Sequence, residues 1–373
     1  MDIFKKYGAK AIWPDGEKKL NRYVRFQTEF YLESSKEVQF FICADTKYEL
    51  YINGNLAGFG QYEDFPDEKV YDAYDISKFV KDGNNLVSIL AYSQGENSFH
   101  HLTGLPMVIF LAKSLDGIVL RSDENVLCAD AQEFLQGKTE PLTYQRSFNF
   151  GFDLRGDDGW RENKVSSIYQ SAFVCDDSKI TYIPRPIKNL VLGKDICGKV
   201  INQGVFAVSD GETVSEKMQY SFLAYREEEK VIEKDGDYIL PKCENVFWIL
   251  DLGKETAGYI TLEIEAEDGA VLDIAIGEHL ADLRVRSYVG GRNFAFRCVC
   301  REGRQKIRFL VKRLAGRYLQ IFSHKGIKKA VAGLTEVNYP LGFTGDFNIG
   351  DRLFKRIYDV SKDTLSLCMH EHY

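Results

Sequence analysis

Apolar and polar side chains alternate along much of this chain. Residues 24–32 place mostly apolar side chains at every second position, and residues 48–52 do the same just before Asn53-Gly54. Successive side chains of a strand point to opposite faces of a sheet, so this spacing predicts β-strands. Because both residues of Asn53-Gly54 accept positive φ, we expect a type I′ turn and a hairpin there.

The alternation becomes more regular after residue 245. Its apolar positions are Ile260, Leu262, Ile264, Leu272, Ile274, Ile276, Phe294, Phe296, Cys298, Cys300, Ile307, Phe309 and Val311. This pattern predicts an antiparallel sheet with one apolar and one solvated face, forming half of a β-sandwich. Pro184 and Pro186 each favour an extended residue before them, and we place a domain boundary near residue 184.

The spacing of apolar residues changes to three and four near the end of the sequence. The residues concerned are Leu353, Phe354, Ile357, Val360 and Leu367. They predict one amphipathic helix, with Asn348 and Asp351 as its capping pair. We expect the apolar face of this helix to pack on the preceding sandwich or on a second copy of the chain, which would give a homodimer.

The predicted fold class is therefore mainly β, with two β-sandwich domains followed by one C-terminal helix. The domains are predicted at residues 1–184, 185–338 and 339–373.

Composition and charge exclude several kinds of partner. The 373 residues contain 48 Lys and Arg against 55 Asp and Glu, which gives a formal net charge of −7. Such a balance favours neither nucleic acid nor an anionic membrane surface as a partner. There is no apolar run of the roughly 18 to 20 residues that span a bilayer, and no visible signal peptide. We expect a cytoplasmic protein, and the eight scattered cysteines favour free thiols.

No sequence motif points to metal or nucleophilic chemistry. The Cys and His pairs that could bind a metal are Cys298-x-Cys300, His370-x-His372 and His100-His101. They lack the two-pair spacing of a zinc site, so we predict neither a metal nor a cofactor. Acidic residues such as Asp153 and Glu278 are numerous, but sequence alone cannot place two of them across a glycosidic bond. No residue is therefore assigned as catalytic.

Aromatic and histidine side chains next to polar turn residues are candidates for stacking on sugar rings. These candidates are Trp13, Phe99, His100, His101 and Trp160. If they form a carbohydrate-binding site, their side chains should be exposed and close together. Packing inside the sandwiches is the alternative for each of them.

Two parts of the sequence resemble a known family of enzymes. Residues 251–285 and 309–322 resemble the β-sandwich domain that precedes the catalytic barrel of bacterial α-L-rhamnosidases and related inverting glycoside hydrolases. The matching positions are Asp251, Gly253, Gly258-Tyr259, Gly269, Gly277-Glu278 and Gly316-Arg317-Tyr318-Leu319. Residues 49–61, 74–92 and 151–162 resemble the galactose-binding-like jelly-roll module at the front of these enzymes. Residues 343–373 resemble the first helix of their (α/α)6 barrel.

This resemblance implies a protein that removes terminal α-L-rhamnose with inversion, using one acid to protonate the leaving oxygen and one base to activate water. In the family, the motif with the general acid follows a stretch like residues 368–373, and the base lies further along. Neither carboxylate can be matched here, so we expect these 373 residues to be an inactive N-terminal part. The expected partner, a rhamnose-containing glycan, would be bound by the parent enzyme. Two alternatives remain: a stand-alone carbohydrate-binding module, and a purely structural pair of domains.

Overall fold

The computed structural model is mainly β, as predicted. It describes residues 2–163, 168–225, 231–234, 237–239, 244–345, 348 and 350–371. Cys243, His372 and Tyr373 lie outside the described residues. Within the described part, none of the helices is long and apolar enough to cross a bilayer.

The first 184 residues contain one short helix, α1 (Ile3–Tyr7), and a series of strands. The strands are β1 (Ile12–Trp13), β2 (Arg22–Leu32), β3 (Gln39–Ala44), β4 (Lys47–Ile52), β5 (Asn55–Gly60), β6 (Glu68–Asp75), β7 (Gly83–Ser93), β8 (Val108–Ser114), β9 (Gly117–Arg121), β10 (Leu127–Asp130), β11 (Pro141–Thr143), β12 (Ser147–Phe148), β13 (Phe152–Asp153), β14 (Gln170–Ser171), β15 (Phe173–Val174) and β16 (Thr181–Pro184). A 3₁₀ turn, Leu154–Gly156, follows β13.

Two facing sheets form the first sandwich. One has the strand order β15-β1-β8-β3-β6-β16 with β9 beside β8, and the other has the order β14-β10-β2-β7-β4-β5. The antiparallel register sets Phe26 opposite Ile89 in the second sheet, and both side chains are buried between the sheets. Asn53 and Gly54 have φ of 49° and 79°, which confirms the predicted hairpin between β4 and β5.

The second sheet of this sandwich is buried on both faces. Its outer face carries Tyr23, Leu90 and Tyr92, which belong to a core shared with the rest of the chain. Arg25 and Glu49 lie on the same outer face and are also buried. Alternate side chains of β2 therefore point into two different interiors. One is the apolar core between the two sheets, and the other is the mixed apolar and charged core shared with the rest of the chain, so neither face is solvated.

Beyond residue 184 the chain adds a second set of strands and two helices. They are β17 (Val191–Cys197), β18 (Lys199–Ala207), α2 (Val214–Tyr220), β19 (Phe222–Tyr225), β20 (Ile232–Lys234), β21 (Asp237–Ile239), β22 (Val246–Ala266), β23 (Val271–Gly277), β24 (Leu280–Ala281), β25 (Arg284–Val285), β26 (Tyr288–Val289), β27 (Arg292–Asn293), β28 (Ala295–Val299), β29 (Gly303–Arg308), β30 (Leu314–Ser323), β31 (Ile327–Asn338) and α3 (Arg352–Cys368).

The 21-residue strand β22 organises the second sandwich. Its first part pairs with β18 and β30, and its later part pairs with β29 and β31. The register shifts between Asp251 and Thr256, where Gly253 has φ of 84°. A shift of this kind bends a strand, so β22 takes part in both layers. Ile260, Leu262 and the other alternating positions predicted for this strand lie in the core between them.

The other face of the second sandwich differs from the prediction. The sequence predicted a solvated face, but Phe247, Ile249 and Phe322 are buried in a separate apolar cluster. The short helix α2 covers this cluster with Met218. Thr213 and Glu216 form a capping box that begins α2. The sheet is therefore apolar on both faces where α2 lies on it.

A segment that precedes residue 184 joins the second sandwich. Strand β13 pairs in parallel with β28, and the Nδ2 atom of Asn149 donates to the carbonyl of Ala295 over 2.7 Å. Phe150 and Phe152 pack on Phe309 with ring centroids 4.8 and 5.2 Å apart. The two sandwiches thus share one continuous core across their junction.

Helix α3 forms where the sequence predicts it, with Asp351 as its N-cap. The Asp351 carboxylate accepts from the backbone N–H groups of Leu353 and Phe354. The cap is therefore Asp351 itself and not Asn348. Side chains on the first turns of α3 stay more than half exposed, so the helix does not fold back on the second sandwich along this face. Pairing with a second copy stays a prediction.

Candidate functional site

A cleft of about 210 Å³ lies where the two sandwiches meet. Its walls come from the corner after β3, the loop after β7, the turn between β11 and β12, the segment before β30 and the residues after α3. These parts are far apart in sequence and come together only through the packing of the two domains.

The wall from the first sandwich is built on Asp45, which is almost fully buried. Its Oδ2 atom accepts from the Ser93 hydroxyl at 2.8 Å and from the Thr46 hydroxyl at 3.2 Å. The Nε2 atom of His101 lies 3.3 Å from the Thr46 hydroxyl oxygen and 3.9 Å from Asp45 Oδ2. Burial lowers the pKa of His101 to about 4, so this ring is neutral near pH 7. The wall therefore offers a carboxylate, a hydroxyl and a neutral imidazole.

The wall from the second sandwich carries Lys312, whose side chain is only 5% exposed. Its Nζ donates to the Tyr92 hydroxyl at 3.1 Å and lies 4.6 Å from the centre of that ring. Burial and the neighbouring Arg146 and Lys47 lower the pKa of Lys312 to about 7. Part of the lysine population is therefore charged at neutral pH, in a place where water reaches it poorly.

Two arginines stand beside this lysine. Arg146, from the turn between β11 and β12, donates to the backbone carbonyl of Arg313. Arg313 donates to the carbonyl of Leu367 at 2.8 Å, and its buried Nε has no hydrogen-bond partner among the described residues. Burial and the charge of Arg313 lower the pKa of Arg146. The two guanidinium groups are therefore held by backbone oxygens.

The other carboxylates of the cleft are engaged elsewhere. Glu371 accepts from Nη1 of Arg185 at 2.7 Å, and Lys47 Nζ approaches it at 4.0 Å. Glu63 Oε2 lies 3.7 Å from Nδ1 of His100. The cleft thus contains these acids together with three cations, Arg146, Lys312 and Arg313.

The structure brings only part of the predicted carbohydrate site together. His100 and His101 line the cleft, and Phe99, which is 81% exposed, is next to them in the chain. A binding role for these three residues stays a prediction.

The prediction of exposed stacking surfaces is wrong for Trp13 and Trp160. Trp13 is fully buried in the core of the first sandwich, 5.7 Å from the ring of Phe26. Trp160 is 1% exposed and donates from Nε1 to Glu133 at 2.9 Å. The polar residues around Trp160 misled the prediction, because Asp158 pairs with the buried Arg25 and does not mark a solvated loop.

Sequence reasoning missed Arg146, Lys312 and Arg313. One signal was available for two of them, since Lys312-Arg313 directly follows the alternating apolar positions Phe309 and Val311. Two adjacent cations directly after buried apolar positions interrupt the apolar pattern next to a core, where an unpaired charge is costly. Arg146 lies in a polar turn and carries no such signal.

Comparison with known proteins gives a clear result for structure and none for sequence. No family model and no curated protein matches the sequence. Among solved structures, a GH78 family rhamnosidase of Bacillus sp. GL1 superposes with a TM-score of 0.84 at 16% identity, covering 98% of this chain and 58% of that one. This chain has the fold of part of an α-L-rhamnosidase.

Other rhamnosidases agree with this result. The α-L-rhamnosidase from Dictyoglumus thermophilum matches with a TM-score of 0.67 at 17% identity, covering 95% of this chain and 38% of that one. The Streptomyces avermitilis α-L-rhamnosidase, solved with L-rhamnose, matches with a TM-score of 0.67 at 14% identity, with coverages of 94% and 32%. The chain spans less than two thirds of the length of each of these rhamnosidases, so their fold is shared over nearly all of this chain but only part of theirs.

Proposed function

We propose that these 373 residues are the non-catalytic sandwich domains of an α-L-rhamnosidase-like inverting glycoside hydrolase that removes terminal α-L-rhamnose. The observation that carries the proposal is the match to the Bacillus sp. GL1 rhamnosidase, which extends over 98% of this chain and includes both sandwiches. An inverting glycosidase needs two carboxyl groups about 6.5 to 9.5 Å apart with room for a water molecule. We assign no such pair to the described residues.

The arrangement of the acidic residues supports the non-catalytic role. Asp153 binds Arg155 through both carboxylate oxygens, at 2.8 and 2.6 Å, and caps the 3₁₀ turn Leu154–Gly156. In the cleft, Asp45 and Glu371 hold hydroxyl and guanidinium groups of the protein itself. Asp153, Asp45 and Glu371 are therefore each held in position by other groups of the protein.

Hydrolysis of an aryl α-L-rhamnoside tests the proposal. We expect no hydrolysis by the purified 373-residue chain. We expect hydrolysis by a chimera in which this chain replaces the matching 58% of the Bacillus sp. GL1 rhamnosidase. The rest of that enzyme alone is the control for background activity.

Two outcomes would contradict the proposal. Hydrolysis by the 373 residues alone, lost in Asp153→Asn or Glu278→Gln, would show that this chain contains the reacting carboxylates. A chimera that has the circular dichroism spectrum and cooperative melting of a folded protein, yet no activity above the control, would contradict the relation to rhamnosidases.

A stand-alone carbohydrate-binding module is the second candidate. The exposed ring of Phe99 beside His100 and His101 at the cleft favours it. Titration of the chain with L-rhamnose and D-galactose, with Phe99→Ala as the variant, tests this candidate. Binding that Phe99→Ala weakens would support it, and the absence of heat with either sugar would contradict it.

A further inference from the structure

We propose that the cleft between the sandwiches binds a carboxylate-bearing sugar, a uronic acid, and that Arg146, Lys312 and Arg313 recognise its carboxylate. That the ligand is a sugar rests on the proposed function, whereas the recognition of an anion rests on the cleft itself.

In the described part of the chain, the three cations of the cleft have no carboxylate partner close by. Lys312 is 5% exposed, and among the described residues its Nζ donates to a neutral hydroxyl, that of Tyr92. Arg146 and Arg313 are half-buried and donate to backbone carbonyls. Within the described residues, no carboxylate oxygen lies within 4.0 Å of these three side chains. Buried cations without counter-charges are costly, and an anion that enters among them recovers part of that cost.

Among the described residues, no acid of the cleft forms an ion pair with these cations. The charge of Glu63 acts on Arg146 at longer range, and the Glu63 carboxylate itself lies 3.7 Å from Nδ1 of His100. The Glu371 carboxylate is held by Arg185, and Asp45 is held by the hydroxyls of Ser93 and Thr46. Because these carboxylates already have donors, the three cations are left available for a ligand from outside.

The shape and polarity of the cleft favour a carboxylate on a sugar ring. Guanidinium groups bind carboxylates through two parallel hydrogen bonds, and Arg146 and Arg313 both line the cleft. The wall of the first sandwich adds the Thr46 hydroxyl and the neutral His101 ring, polar groups that suit sugar hydroxyls. The volume of about 210 Å³ is below the roughly 300 to 1,000 Å³ of drug-sized sites, so one ring is the expected occupant.

Titration calorimetry of the 373-residue chain at low ionic strength tests the proposal. The ligands are D-glucuronate and D-galacturonate, with D-glucose and D-galactose as their neutral counterparts and sodium acetate as a carboxylate without a ring. We expect at least one uronate to bind at least tenfold more tightly than its neutral counterpart and than acetate. Added salt should weaken the binding of that uronate.

Lys312→Met and Arg146→Gln should each weaken uronate binding at least tenfold. Methionine has a similar volume and removes a buried charge, so Lys312→Met should remain folded. Lys325→Met is the matched control, because Lys325 lies at the surface of the second sandwich with its side chain 78% exposed. Cooperative melting of each variant shows that it is folded.

Several results would overturn the proposal. These are equal binding of a uronate and its neutral counterpart, acetate binding as tight as that of the uronates, no binding of either uronate, and unchanged binding in folded Lys312→Met and Arg146→Gln. Failure of this proposal can be distinguished from failure of the proposed function, because the first is measured by uronate binding and the second by rhamnoside hydrolysis. Uronate binding by a chain that itself hydrolyses the rhamnoside would support the anion site and overturn the non-catalytic role.

Discussion

The junction between the sandwiches and helix α3 both present apolar side chains in a regular pattern, yet only the junction buries them. At the junction, Tyr23 and Tyr92 from the first sandwich share a core with Phe309 from the second. On α3, Leu353 and Phe354 are 65% and 56% exposed. The comparison teaches that the period of a pattern identifies the apolar face of an element, whereas the covering surface depends on the rest of the fold.

Each region is also fixed differently. The junction is held by aromatic packing and by the Glu49 carboxylate, which accepts from the backbone N–H of Leu310 at 3.0 Å. Helix α3 is attached near its C-terminal end, where Arg313 donates to the carbonyl of Leu367. A substitution at the junction should therefore change global stability, and one on α3 should act locally.

The largest loss of global stability is expected from Phe309→Ala. This ring lies in the shared core, and phenylalanine truncations in cores cost about 3 to 5 kcal/mol. Urea unfolding followed by tryptophan fluorescence measures the loss. Phe354→Ala on α3 is the control, expected to change the free energy of unfolding by less than about 0.5 kcal/mol. Equal losses in the two variants would remove the difference between junction and helix.

Lys312→Met should stabilise the protein, by about 1 to 4 kcal/mol at pH 6, because replacing buried charges by apolar side chains of similar volume is often favourable. The pKa of Lys312 is lowered from 10.5 to about 7, so between these values the unfolded chain binds a proton that the folded one does not. Wild-type stability should therefore rise with pH across this window.

The difference in free energy of unfolding between Lys312→Met and wild type should accordingly decrease between pH 7 and pH 10. Urea unfolding at pH 6, 8 and 10 checks this, with the exposed Lys325→Met as control. A variant that is less stable than wild type at pH 6 would show that the lysine charge holds the junction together.

Glu49→Gln should change the free energy of unfolding by less than Lys312→Met does, and the difference from wild type should grow with pH. Burial raises the pKa of Glu49, while the nearby Arg161 opposes this shift. Below pH 4.5 the Glu49 carboxyl is protonated in both the folded and the unfolded protein. As pH rises from 4.5 through the raised pKa, the unfolded protein loses this proton more readily than the folded one, so the free energy of unfolding of the wild type falls. At pH 4 the free energy of unfolding of Glu49→Gln should lie within about 1 kcal/mol of the wild-type value, since only one hydrogen bond of this side chain changes. By pH 7 the variant should have become more stable relative to wild type than it is at pH 4.

Unfolding of Glu49→Gln and wild type at pH 4, 5, 6 and 7 measures this difference. Glu263→Gln, in an exposed pair with Lys306, is the matched control and should show no such trend. A difference that stays constant with pH would contradict the titration of Glu49 in the folded protein.

The smallest global effect is expected from Asp351→Ala. Loss of an N-cap costs about 1 kcal/mol, here within α3 alone. Amide hydrogen exchange in the first turns of α3 should become roughly fivefold faster, while urea unfolding stays unchanged. Asp359→Ala, which removes only the exposed i,i+4 pair with Lys355, is the control. A lower global stability would show that α3 is coupled to the sandwiches.

The elements that depend on local pattern could be predicted from the sequence. The strands around Ile260 and Ile274, the Asn53-Gly54 turn and the helix after Asp351 were predicted and are present. In each case, residues within a few positions of one another determine the structure through side-chain period or backbone preference.

The cleft could not be predicted, because its residues meet through tertiary packing. Asp45, Arg146 and Lys312 lie on different elements, and no local period connects them. Burial of Trp160 was missed for a related reason. Its polar neighbours satisfy the buried charge of Arg25, a task that cannot be distinguished from solvation when only adjacent residues are known.

The pairing of β13 with β28 has a consequence for synthesis of the protein on the ribosome. Asn149 and its partner Ala295 are 146 residues apart. At about 5 to 20 residues per second, the growing chain carries the first sandwich for roughly 7 to 30 seconds before its partner strand exists. During that interval Tyr23, Leu90 and Tyr92 lack the core they share with the second sandwich. The nascent first domain is therefore the stage at which we expect this protein to need a chaperone most.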